Sequence, residues 1–161
     1  MAFIFFMNLL GTAKVYAEET LSKEEIFQIR MNKYLQYHDT FFPWYYLAAV
    51  DQYERNIQDV RKDIPKRNGI VAIQFSDESW VGVQNPNSND TSPTSITYFG
   101  GMGLDGNGDG LANRNDDEDV LYTMATYLTS YGVTEDDFKL ALSDYYKNEM
   151  TVICNKCGSK F

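Results

Sequence analysis

The sequence predicts a small, mainly α domain with a short β excursion and one acidic, EF-hand-like loop. Three observations carry that prediction. Apolar residues recur at helical spacing in four separate runs. Between the second and third run lies a stretch of β-branched and aromatic residues broken by Gly, Pro and Asn. After it, Asp105-Gly-Asn107-Gly-Asp109-Gly110-Leu111 alternates oxygen-bearing side chains with glycine. The 161 residues, 43% of them hydrophobic, suffice for one modest core.

In order along the chain, residues 1–17 form an apolar run that closes on small residues at Val15 and Ala17. Its length suits a signal peptide and is too short for a spanning helix, although a positively charged start is missing. Export with cleavage after Ala17 is expected, leaving no stable membrane insertion. Residues 18–41 form an N-terminal helix or linker. There, Ser22-Lys-Glu-Glu25 is a capping box. Phe27, Met31, Tyr34, Leu35 and His38 form the stripe of a helix from Ser22 to Tyr37.

Pro43 opens a second helix. Leu47, Val50, Tyr53 and Ile57 share one face, and Glu54 sits among them. Desolvation and the carboxyl end of the helix would both raise the pKa of Glu54, as a general acid requires. On this signal alone, the role of a core-edge partner for Arg61 or Arg30 outweighs catalysis for Glu54. Gly69–Phe75 reads as a strand, with 79–83 as its return and 95–99 as a weaker candidate. Val120, Leu121, Met124, Ala125, Leu128 and Tyr131 line a third helix, ended by Gly132. Thr134 caps a fourth, whose Phe138, Ala141, Leu142 and Tyr145 face inward. Residues 151–161 read as a tail, truncated or frameshifted.

Net charge is −9, which argues against nucleic acid as a partner. With His38 the sole histidine and Cys154 and Cys157 the sole cysteines, four zinc ligands cannot be assembled. Ser- or Cys-based triads fail for lack of a second base. Cys154 and Cys157, two residues apart at the chain end, make a poor staple. The 12 tyrosines and 10 phenylalanines fit either a Tyr-rich core or a groove that stacks on sugar rings.

The acidic loop fits calcium. Asp105, Asn107 and Asp109 fill the first, third and fifth places of an EF-hand loop, Gly110 the sixth, and the Leu111 carbonyl the seventh. Asp116 stands at the twelfth place and Asp119 three further on, as a cap of the next helix. Asp119 is the preferred closing ligand in a stretched loop, with Asp116 its competitor. Such calcium is structural.

These pieces resemble a lytic transglycosylase domain of the lysozyme-like α+β fold, over 42–150. Pro43-Trp44, Leu47-Ala48-Ala49-Val50, Gln52 and Glu54-Arg55-Asn56 match the helix that carries that family's catalytic Glu, with Arg55 replacing the usual Ser. Asp105 to Gly110, Asp119, Ala125, Tyr127 and Leu128 match its calcium run, and Ala141-Leu142 with Tyr145-Tyr146 echo a later motif. Gln74, Phe75 and Trp80 align with its groove segment, where Asp77 stands in place of proline. The chain is also similar to the amino-terminal portion of LytH-type cell-wall endopeptidases of endospore-forming bacteria, in Pro43 to Asn56 and Gly100 to Ala112.

The resemblance implies a secreted, monomeric protein in the wall of a Gram-positive bacterium, with peptidoglycan glycan strands as partner. Glu54 would be the single catalytic acid and base, with Tyr45, Gln74, Trp80 and Tyr145 touching the sugar. Alternatively, the chain is a non-catalytic wall-binding module separated from a zinc peptidase domain.

Overall fold

A computed structural model describes residues 21–37, 43–63, 66–67 and 69–157. The candidate signal peptide and His38 lie outside the described residues. Six helices follow one another: α1 (Lys23–Leu35), α2 (Trp44–Val60), α3 (Asp77–Val81), α4 (Pro93–Tyr98), α5 (Asp117–Thr129) and α6 (Glu135–Cys157). The tail expected from 151 therefore begins as a continuation of α6.

The capping box at α1 forms as read. The Glu25 amide donates to Ser22 Oγ at 3.2 Å, and the Ser22 amide donates to Glu25 Oε2 at 2.7 Å. The stripe behind it is only partly correct. Tyr34 and Tyr37 enter the core and Met31 packs on it, but Phe27 is 50% exposed and Leu35 43%. A polar interaction chooses the inward face: Arg30 and Tyr34 both reach Asp51 on α2, at 3.0 and 2.5 Å. The face of α2 shifts for the same reason. Leu47, Val50, Asp51 and Gln58 are buried, while Tyr53 is 52% exposed.

The run expected to be a strand is extended and buried, with Val71, Ala72, Ile73 and Phe75 in the core. No strand occurs among the described residues. Helix and loop side chains supply the backbone hydrogen bonds that a neighbouring strand would have made. The Ala72 amide donates to the Asp51 carboxylate. Arg55 Nη2 donates to the Ile70 carbonyl and Gln58 Nε2 to the Ala72 carbonyl, both at 2.7 Å. Arg67 Nη1 reaches the Val71 carbonyl at 2.7 Å, and Tyr145 Oη that of Gln74 at 2.5 Å. The Ile70 and Val71 amides donate to Asp117 at 3.2 and 3.3 Å. Buried backbone groups must be paired, and here the pairing is tertiary.

The other two strand expectations are overturned. Residues 79–83 contribute to α3 and 95–99 to α4, because Ser76 and Ser92 each cap a helical turn. Their hydroxyls accept from the Ser79 amide at 3.1 Å and the Ser95 amide at 3.5 Å, and Pro93 sits at the first helical place of α4. Local side-chain capping outweighs β propensity in runs this short. The chain after α4 then lies directly on α3: the amides of Met102 and Gly103 donate to the carbonyls of Ser79 and Trp80, both at 3.0 Å. A Cβ at Gly103 would come within 2.6 Å of the Trp80 ring, so this position requires glycine.

At the far end Thr134 and Asp137 cap α6 reciprocally. Phe138, Ala141 and Tyr145 of α6 are buried in one core with Leu121, Met124 and Leu128 of α5. No described helix is long and apolar enough to cross a membrane.

Candidate functional site

Glu54 lies just past the middle of α2 and is half-buried. Its charge faces the hydroxyl of Tyr146 on α6. That hydroxyl is buried, with the Glu54 carboxylate as its polar neighbour. Burial first, then the negative charge of Glu54, pushes the Tyr146 phenol well above its usual range. The Tyr53 ring closes edge-on over Tyr146 with centroids 4.9 Å apart. Arg30, one of the two expected partners for Glu54, turns to Asp51. Arg55, where the resemblance expects serine, also points away, with Nη2 3.3 Å from Asp51.

Of the four candidate sugar contacts, the structure leaves two accessible. Tyr45 is 54% exposed near the start of α2, and Gln74 is half-buried on the extended run. Trp80 is 1% exposed, with its indole N–H bonded to the Ala112 carbonyl at 3.1 Å and its ring against Phe75. Tyr145 is equally internal, its hydroxyl held by Gln74. Neither ring presents a face on which a sugar could stack.

The acidic loop is organised by its own side chains. Asp105 accepts from the amides of Gly108 and Gly110 at 2.7 and 2.8 Å, and both glycines have positive φ. Asn107 accepts from the Asp109 amide at 2.9 Å, and Asp109 from the Leu111 amide at 2.8 Å. Asp119 is fully buried and accepts from the amides of Gly106 and Asn113, each at 2.7 Å, and from that of Asn107 at 3.3 Å. Burial raises its carboxyl above the usual range, opposed by these amides. Asp116 is the helix cap, accepting from the amides of Glu118 and Asp119. The expectation that Asp119 caps α5 is thereby corrected: it sits inside the first turn and faces the loop.

Among the hollows beside this frame, two are built from described residues that do not include Glu54. The larger, of about 280 Å³, gathers Lys66, Arg67 and Arg114 around Phe75, with Asp77 among them. The smaller, of about 220 Å³, is walled by amides and hydroxyls including Asn89, Thr91 and Asn113. Arg114 and Asn115 line both. Sequence reading missed these cations, because Arg67 and Arg114 belong to segments 47 residues apart that meet only in the fold.

Over 113 residues the chain is 50% identical to the L-Ala--D-Glu endopeptidase of Bacillus subtilis (strain 168). The matched stretch covers 70% of this chain and 35% of that protein, so the chain spans about a third of the relative's length. Identity at this level and length relates the chain to a cell-wall endopeptidase. No known family profile matches it, and neither does any solved structure.

Proposed function

We propose that this chain is a non-catalytic peptidoglycan-binding module, the portion of a cell-wall endopeptidase that holds the enzyme on its substrate. The observation that carries this reading is the 50% identity to an endopeptidase named for the L-Ala–D-Glu bond, over a third of that protein's length. Peptide-bond hydrolysis needs a metal centre or an activated nucleophile. The sequence has a single histidine, too few for the histidine-rich centre of a zinc peptidase or for a nucleophile with its own base. On this reading the chain works outside the cell, in the wall of a Gram-positive bacterium. The test is sedimentation with purified peptidoglycan followed by analysis of the supernatant. The chain is expected to pellet with the wall and release neither sugar nor peptide.

The placement of Glu54 against buried Tyr146 favours a second reading, a lytic transglycosylase. Glu54 would protonate the glycosidic oxygen and then accept a proton from the sugar's own hydroxyl as it closes on the anomeric carbon. Anhydro-muropeptides in the supernatant, abolished by Glu54→Gln, would replace the first reading with this one.

Calcium belongs to either reading as a structural ion. Asp105, Asn107, Asp109, the Leu111 carbonyl and Asp119 offer oxygen donors alone, the chemistry of a hard cation. The fit is chemical, since the carboxylates are turned onto loop amides. A carboxylate oxygen has lone pairs for both an amide and an ion. Bound calcium would neutralise a loop of like charges. Calcium is expected to raise the melting temperature, a chelator to reverse the rise, and Asp105→Ala to remove it.

A further inference from the structure

The three cations of the larger hollow are not equivalent. Arg67 is fixed: its Nε and Nη2 donate to the carbonyls of Arg114 and Asn115 at 3.0 Å each, and its Nη1 lies 2.6 Å from Asp117. With a fourth bond from Nη1 to the Val71 carbonyl, four of its five N–H groups are engaged and the side chain is only 4% exposed, so it shapes the wall. Lys66 pairs with Asp59 at 3.0 Å, both more than half exposed. Arg114 donates through Nη1 to Asp77, leaving Nε and Nη2 unengaged among the described residues. The Arg114–Asp77 pair is itself accessible, 29% and 39% exposed, and exposed pairs are only weakly held. A second carboxylate can therefore share the guanidinium fork or take it from Asp77. Phe75 gives the same hollow an apolar side suited to a methyl or methylene group. Beyond Arg114 the smaller hollow offers amides and hydroxyls. Its one carboxylate, Asp90, accepts from Asn85 Nδ2 and the Ser92 amide and would repel a second negative charge, which suits an uncharged polar continuation of the ligand.

We propose that Arg114 anchors a free carboxylate of an acidic peptide of the Ala–Glu type, with Lys66 assisting and the rest of the ligand extending past Asn115 into the smaller hollow. The inference rests on the wall-binding reading and names the group recognised. It is tested by titrating the 161-residue chain with L-alanyl-D-glutamate, with its bis-amide, and with N-acetylmuramic acid, following the Arg114 Nε–H resonance. The dipeptide is expected to move that resonance, the bis-amide to bind about tenfold more weakly or worse, and Arg114→Gln to lose a similar factor. Lys66→Gln should lose less.

Equal binding of dipeptide and bis-amide to the unaltered chain would overturn the proposal, whether or not Arg114→Gln folds. So would absence of dipeptide binding, or tighter binding of N-acetylmuramic acid, which would assign the carboxylate to the sugar. Wall sedimentation separates the two ideas. A chain that pellets with the wall but ignores the dipeptide's charge refutes the Arg114 anchor alone. A chain that discriminates the dipeptide but never pellets refutes the wall-binding reading alone.

Discussion

Residues 70–75 and 105–111 are both backbone without helix or strand, and they are stabilised in opposite ways. Apart from Arg67, four residues from Val71, the first is pinned by side chains from 14 to 71 residues away, among them Asp51, Gln58, Asp117 and Tyr145. The second is folded by Asp105, Asn107 and Asp109 onto amides two to five residues on, and only Asp119 reaches in from α5. One depends on the whole fold; the other is nearly self-sufficient and half open to water. A buried clamp and a local knot give different responses to the same kind of damage.

The largest effect is expected at Asp51. Its carboxylate holds Arg30, Arg55, Tyr34 and the Ala72 amide together at zero exposure. Asp51→Ala strands two guanidinium groups and should cost about 3–5 kcal/mol, read as a drop in the urea midpoint. Such a loss rivals the stability of a domain this size. If the midpoint barely moves, residues 70–75 are not held as described.

Asp119→Ala should cost less, about 1–3 kcal/mol, because it frees amides that water can partly reach. Its amide shift changes should stay near the loop and the start of α5, whereas those from Asp51→Ala should spread through α1, α2 and α6. Similar footprints for the two would erase the contrast.

Alkaline pH addresses both regions at once. Tyr34 is pushed up by burial and then by Asp51, Tyr37 by burial and then by Glu118, and Tyr146 by burial and then by Glu54. Each raised phenol contributes stability in full below the unfolded value of about 10, and that stability is lost as pH rises beyond it. Unfolding midpoints should be level from pH 8 to about 10 and fall above that. A flat profile to higher pH would mean these hydroxyls reach solvent. Smallest of all, Ser22→Ala should cost about 1 kcal/mol at the edge of α1, without reaching either region.

The same contrast decides what the sequence revealed. The loop, the capping box at Ser22 and the Thr134 cap were legible because donor and acceptor lie within a few residues of each other. The extended run at 69–75 was legible as extended and apolar, but not as unpaired with another strand, since its partners are scattered over the chain. Periodicity pointed to Phe27 and Tyr53 as inward and could not weigh Asp51, whose role depends on α1 crossing α2. The short helices α3 and α4 were hidden by β-branched and aromatic residues, although Ser76 and Ser92 with Pro93 were the signal that could have found them. Of the candidate site, the acidic loop and Glu54 were visible. The cationic hollow was not, because its three cations come from two distant segments.

The clamp on residues 70–75 also governs how this chain exchanges protons with solvent. In a helix or sheet, an amide's protection reports the local hydrogen-bonded ladder. Here the Ala72 amide is protected only while α2 holds Asp51 against it, and Val71 only while α5 presents Asp117. Deuterium uptake at these two positions therefore times the separation of helices rather than the fraying of any one of them.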